Sequence, residues 1–247
     1  MNNETIGILT ALEAEIQGII ELIKERHEER VGPHNFISGY IHGIKVVVAM
    51  SCMGKVFAAE TTTLLIHKYN IKKLIFIGVA GCLNDTLHLG DVIVSKDLYQ
   101  HDVDARPLLP RFHLSILNCA AISSDPKLQE IAYSTITTLL PVLKRWKHTP
   151  HCYIADIASG DQVITAVEQK SAIKDNLPSI YCVEMEGAAV AQIAATYSIP
   201  FVVIRAVSDD AEDFSSFIPF TENIWSQNAK LIIDKLLYNI SLLNANS

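Results

Sequence analysis

The chain has 247 residues, 49% of them hydrophobic and 19% charged, with a formal net charge of -7. That length and apolar content support one sizeable α/β core and exclude a disordered chain. The negative balance repels phosphate backbones and anionic lipid, leaving small molecules as the expected partners, with no nucleic acid and no membrane.

Thr5 to Ala11 reads as a short buried strand. Leu12 to about Glu25 follows as a helix with Leu12, Ile16, Ile19, Ile20 and Ile23 on one stripe. Phe36 to Tyr40 and Ile44 to Met50 alternate around His42-Gly43 as a hairpin, and Lys55 to Tyr69 is a glycine-bounded helix. Lys73 to Val79 and Asp91 to Val94 are β-branched strands, Gln100 to Asn118 is loop-like, and Asp125 to Leu140 is a helix with Ser123 and Ser124 as candidate caps. A strand near Ile154 to Ala158, helices near Ala166 to Asp175 and Met185 to Tyr197, the apolar strand Pro200 to Val207 and a helix about Glu222 to Leu243 complete the chain.

Strands alternating with helices predict a mixed, largely parallel sheet covered on both faces, and no linker divides it, so residues 1–247 are expected to form a single domain. Cys52, Cys82, Cys119, Cys152 and Cys182 are odd in number and scattered, which fits buried reduced thiols. The N-terminus carries no basic segment or cleavage site and no apolar run approaches a membrane span, so a cytoplasmic location is expected.

In such sheets ligands bind beyond the strand ends, which directs attention to acidic residues that follow apolar strands. Glu13 and Glu15 follow the first strand, and Val183-Glu184-Met185-Glu186-Gly187 places two carboxylates at another strand-to-helix junction. Either pair alone reads as decoration of a helix dipole. Arg205, Ser208 and Asp209 end the most apolar strand, and an arginine there needs an anionic partner, for which the glutamates at other strand ends are candidates; a purely structural ion pair fits as well.

The blocks Ile6-Gly-Ile-Leu-Thr-Ala-Leu-Glu-Ala-Glu15, Ser51-Cys-Met-Gly-Lys55, Gly78-Val-Ala-Gly81, Ser159-Gly-Asp161, Val183-Glu-Met-Glu186 and Arg205-Ala-Val-Ser-Asp209 run through the chain in one order. Together they resemble the nucleoside phosphorylase superfamily, and within it the methylthioadenosine/S-adenosylhomocysteine nucleosidases. The resemblance implies a three-layer α/β/α fold with a mixed central sheet, a homodimer, no cofactor, no metal, and hydrolysis of the N-glycosidic bond of a purine nucleoside to release adenine. Asp209, held by Ser208, would protonate N7 of the purine, for which its carboxyl must keep a proton when substrate is bound. Glu15 would activate the water, fixed by Arg205, on the ribose face opposite the base, as in inverting glycosidases. Glu186 would grip the ribose hydroxyls, with Glu184 supporting the site. Gly78 and Gly81 would allow close approach to the ribose, Ile164 would offer backbone groups to the adenine edge, and Met53 and Met185 would line the 5'-thio pocket.

Phosphorylase relatives carry an arginine two residues before the glycine matching Gly78 and a hydroxyl one residue after it; here these positions are Phe76 and Val79, which makes water the expected nucleophile. The chain departs from the nucleosidases at Val79, usually Ser, at Val163, usually a stacking aromatic residue, and at Arg106 and Leu108, in the segment that completes a neighbouring subunit's pocket. These departures keep two alternatives open: a hydrolase of another purine nucleoside such as futalosine, and a nucleoside-binding homologue without catalysis. His101, Asp102 and Asp104 resemble an acidic loop that the family carries without a metal.

Overall fold

The computed structural model describes residues 4–211 and 214–245. β1 (Ile6–Thr10) leads into α1 (Glu13–Ile20), followed by three antiparallel neighbours, β2 (Lys24–Val31), β3 (His34–Ile41) and β4 (Ile44–Met50). α2 (Lys55–His67), β5 (Lys73–Cys82), β6 (Val92–Gln100), the short β7 (Ile122–Ser123) and α3 (Pro126–Leu139) come next. β8 (Cys152–Ser159), α4 (Val167–Asn176), β9 (Ile180–Glu184), α5 (Gly187–Thr196) and β10 (Phe201–Asp209) precede the short α6 (Phe217–Phe220) and the long α7 (Ser226–Ala245).

The expected mixed sheet is present, and its strands alternate between two apolar layers. Ile75 and Ile77 of β5 and Val202 and Ile204 of β10 face α1, α3 and α7, whereas Leu74, Phe76 and Val203 face α2 and α5. Period-two side chains on a sheet covered on both sides produce this division, and each fully buried aliphatic side chain is worth about 1.5–3 kcal/mol. A third apolar cluster joins Ile164, Ile173, Val183 and Ala211.

Part of the sheet closes on itself. β5 pairs with β10 in parallel, β10 with β6 antiparallel, β6 with β8 and β8 with β9 in parallel, and β9 returns to β5 antiparallel. On its other side β5 pairs with β1, and the order continues through β4 and β3 to β2. Gly81, Ser159, Glu184 and Asp209 all lie at the ends of strands of the closed ring.

Several local expectations are corrected. The first helix stops at Ile20, and residues 24–31 form β2. Ile23 continues the helical stripe in sequence, but it packs into the core from the turn after the helix. The run Lys-Glu-Arg-His-Glu-Glu-Arg-Val has no apolar alternation, so only pairing with β3 makes it a strand. β6 extends past Val94 to Gln100, held by β8 through a register shift. α3 is capped by Asp125, whose carboxylate accepts from Leu128 N at 2.8 Å ahead of Pro126, while Ser124 bonds Ser95 and Ser123 bonds Asp97. The fifth helix begins at Gly187, so Met185 and Glu186 lie in the junction before it. The hairpin turn is as expected, with His42 and Gly43 at φ 49° and 77°, the paired left-handed residues of a tight two-residue turn. All five cysteines are free, but only Cys82 and Cys182 are buried; Cys119 and Cys152 are half-buried and Cys52 is exposed.

Candidate active site

A cavity of about 420 Å³ opens where the β1–α1, β5, β9–α5 and β10 ends converge. Glu15, Met53, Gly81, Val163, Ile164, Glu184, Met185, Glu186, Arg205, Ser208 and Asp209 all line it, although they are spread along the chain from the segment after the first strand to the tenth strand.

Glu15 sits in the first turn of α1 and turns back on its own helix start. Its Oε2 accepts from Ala11 N and Leu12 N, both at 3.0 Å, and Oε1 accepts from Val79 N on β5 at 3.1 Å. Burial pushes its pKa up to about 7, against the lowering influence of Arg205 and of these three N–H groups. Gly78 makes the arrangement spatially feasible: a Cβ there would lie 3.0 Å from Glu15 Oε1 and 3.2 Å from Arg205 Nη1.

At the β9–α5 junction the two glutamates differ. Glu184 spans the start of α5, accepting from Gly187 N at 2.8 Å and Glu186 N at 3.1 Å, and it pairs with Arg205 through Nη2 at 2.7 Å and Nε at 3.3 Å. Ser159 Oγ donates to Glu184 Oε1 and accepts from Ala188 N at 2.7 Å, capping α5 from another strand. Glu186 turns into the cavity, where its Oε1 accepts from Gly54 N at 2.7 Å; burial and the neighbouring Glu184 push its pKa up to about 8.

Arg205 is 1% exposed, so the anionic partner expected for it is Glu184. Its guanidinium carbon lies 3.9 Å from the centre of the Phe76 ring, and Nη1 donates to Ile204 O at 3.1 Å. Four residues further along the same strand, Asp209 accepts from Ser208 Oγ at 2.8 Å on Oδ2 and from Ala211 N at 2.9 Å on Oδ1. A Cβ on Gly81 would stand 3.0 Å from Asp209 Oδ1. The two carboxylates thus flank glycines three positions apart on β5, about 10 Å along a strand.

Ile164 is buried in an irregular segment, and among the described residues neither its N–H nor its C=O makes a hydrogen bond. Two apolar surfaces, Met53 and Val163, remain 58% and 45% exposed at the mouth. Arg106 lies apart from the cavity lining and pairs with Asp104, and Leu108 is 89% exposed. Asp102 pairs with Lys55 at 2.6 Å, and among the described residues no cluster of three or more His, Cys, Asp or Glu is arranged to hold a metal.

The cavity also includes Ala11, Leu12, Gln162 and Phe217, which sequence reasoning did not select. Phe217 comes from α6, and the stretch after Asp210 carries no periodic pattern to announce a helix facing the site. Ser159 stood inside a matching block, but nothing in sequence reveals that its hydroxyl reaches Glu184 across 25 residues.

A family model described as the phosphorylase superfamily matches residues 5–237. A Shewanella denitrificans protein named 5'-methylthioadenosine/S-adenosylhomocysteine nucleosidase is 34% identical over 218 residues, covering 86% of this chain and 91% of its own. The S-adenosylhomocysteine nucleosidase of Streptococcus pyogenes, solved with 5-methylthiotubericidin, superposes with a TM-score of 0.87 at 27% identity, covering 97% of this chain and 98% of that one. The futalosine hydrolase of Helicobacter pylori strain 26695 superposes with a TM-score of 0.85 at 30% identity, covering 96% of this chain and 98% of that one.

Proposed function

We propose a reaction for a chain that belongs to the phosphorylase superfamily and, within it, to the 5'-methylthioadenosine/S-adenosylhomocysteine nucleosidases: hydrolysis of the bond between adenine and a 5'-thio-substituted ribose. The observation that carries this reading is a buried carboxylate, Glu15, tuned to about 7 and sharing one cavity with a second carboxylate, Asp209, about 10 Å along β5. A base that titrates near neutrality can take a proton from water without being permanently ionised. Arg205, beside Glu15 at Gly78, holds that water with the donors its ion pair leaves over.

At the other end Asp209 delivers a proton to N7, and Ser208 keeps the carboxyl in place. Glu186 lines the same cavity, positioned for the ribose hydroxyls, and the ionised form of Glu15 favours the cationic sugar of the transition state. The unpaired backbone groups of Ile164 suit the edge of adenine, and Met53, Met185 and Phe217 form the apolar surroundings for the 5' group. Val163 gives the base a smaller apolar contact than an aromatic ring would. Water rather than phosphate is the nucleophile, because Phe76 is buried against Arg205 and Val79 has no hydroxyl. The working unit is the whole chain as one domain, a reading supported by a sheet that interleaves early and late strands. It acts in the cytoplasm as a homodimer, the dimer being a reading supported by the exposed Leu108 and α2 side chains Val56 and Phe57.

The test is incubation in phosphate-free buffer with methylthioadenosine, S-adenosylhomocysteine, adenosine, inosine and futalosine, following free base. Adenine should appear from the thio-nucleosides, and Asp209→Asn should slow it by roughly 10² to 10⁴-fold. Strict dependence on phosphate with ribose 1-phosphate as product would overturn the hydrolytic assignment. Turnover of futalosine alone would move the substrate to the alternative suggested by Val163 and Arg106, and silence with tight nucleoside binding would leave a binding protein.

A further inference from the structure

Phe76 is fully buried and on the same face of the sheet as Arg205: Val203 lies opposite Phe76 in the register and Arg205 opposite Gly78. With the guanidinium carbon 3.9 Å from the ring centre, one face of the cation is covered by an aromatic π-face rather than by water. The edge of the guanidinium is occupied on two sides, by Glu184 through Nη2 and Nε and by Ile204 O through Nη1. Of five N–H groups these contacts take three. The remaining two, one on each terminal nitrogen, lie in the guanidinium plane, and Nη1 is on the Gly78 side where Glu15 Oε1 also stands.

We propose that Phe76 is a positioning residue for the reaction, its ring holding the Arg205 guanidinium flat so that the free N–H groups face the water that Glu15 activates. This deepens the proposed site and rests on that reading. Val79 carries no hydroxyl, so Arg205 has no side-chain partner at that position in fixing the water. A cation on an aromatic face is attracted by the ring quadrupole, most strongly where water is excluded, which is the situation at two side chains exposed by 1% or less. Loss of that attraction lets the guanidinium tilt about its Glu184 contact and carries its charge away from Glu15.

Glu15 then becomes the reporter. The charged groups around it are Arg205 and Asp209 on β10 and Glu184 and Glu186 at the β9–α5 junction; β5 presents only the Val79 N–H, and Glu13 shares its own helix. α7 packs against α1 with Lys230, which is engaged by Glu21 at the far end of the helix. Arg205 is the cation among these that holds the Glu15 pKa down, so its withdrawal raises it.

The experiment compares wild type with Phe76→Leu and with the same position carrying pentafluorophenylalanine, which keeps the shape of the ring and inverts its quadrupole. Two readouts are taken: the titration of the Glu15 carboxyl by NMR of protein labelled with 13C in the glutamate side chain, and kcat and KM for methylthioadenosine against pH. Both variants should raise the Glu15 midpoint by about half a pH unit or more. They should lower kcat about tenfold and leave KM within about twofold, since the contact acts on the attacking water. A Glu15 midpoint unchanged in the fluorinated protein overturns the proposal, because packing is retained there. If Phe76→Leu fails to fold, the fluorinated variant still decides. If the wild type releases no base from any nucleoside, the functional reading fails, while the NMR midpoints still establish or refute the hold of Phe76 on Arg205.

Discussion

Two strand-to-helix junctions of this protein each set a glutamate against the N–H groups of a helix start, for opposite ends. After β1, Glu15 bends back to its own helix start, and burial outweighs the Arg205 cation beside it, so a proton is bound and lost near neutrality. At the end of β9, Glu184 reaches forward to the N–H groups that open the next helix, and it also receives Ser159 and both Nη2 and Nε of Arg205. The first carboxylate is left reactive, and the second anchors the cation that the first depends on. Helix N-termini attract carboxylates wherever they occur, so what separates the two is the donor set arriving from other strands.

The comparison breaks most visibly at Glu184. Glu184→Ala leaves Arg205 buried without its partner, and urea unfolding should show a loss of about 3–5 kcal/mol; a loss below about 1 kcal/mol would mean that the pair is not the anchor described. Glu15→Gln should do the reverse. Its carboxyl has an ordinary value of 4.5 and a folded value of about 7, so the folded state binds the proton more tightly and loses stability as pH rises between those values. The amide removes that penalty, and Glu15→Gln should be more stable than wild type at pH 8 by up to ~3 kcal/mol, with no gain at pH 4, while adenine release falls by roughly 10² to 10⁴-fold.

A finer test is the acid side of the rate profile. kcat for methylthioadenosine should fall about tenfold per pH unit below about 7 as Glu15 takes up its proton; an acid limb near 4.5 would contradict the burial that sets Glu15 apart. The smallest effect belongs to a third helix start that serves as a control. Asp125 caps α3 outside the cavity, and Asp125→Ala should cost ~1 kcal/mol in thermal unfolding with unchanged kcat.

The order of most elements was legible from sequence because it depends on local pattern, apolar runs bounded by glycine, and the candidate residues that meet in one cavity were picked out by acidic residues at strand ends together with the six blocks that resemble the family. What could not be read depends on partners distant in the chain. β2 is a strand only because β3 lies beside it. The closure of β5, β10, β6, β8 and β9 into a ring has no signature in any one strand. In the site, Arg205 announced its need for an anion, but the choice of Glu184 over Glu15 was set by register, and Phe76, read as an absence of phosphate-binding chemistry, turned out to touch Arg205 directly. Phe217 escaped because its helix has only four residues, too few for a period to show.

The edge formed by β2 bears on how copies of this protein behave at high concentration. Where the ring closes, backbone groups find partners within the chain, but β2 presents a long row of its own N–H and C=O groups outward. That row is studded with Lys24, Glu25, Arg26, His27, Glu28, Glu29 and Arg30, most of them exposed, and bringing a second strand against it means stripping water from charge after charge. The exposed border therefore resists sheet extension, and association between copies has to proceed through side-chain surfaces elsewhere, leaving the sheet to end where the sequence turns ionic.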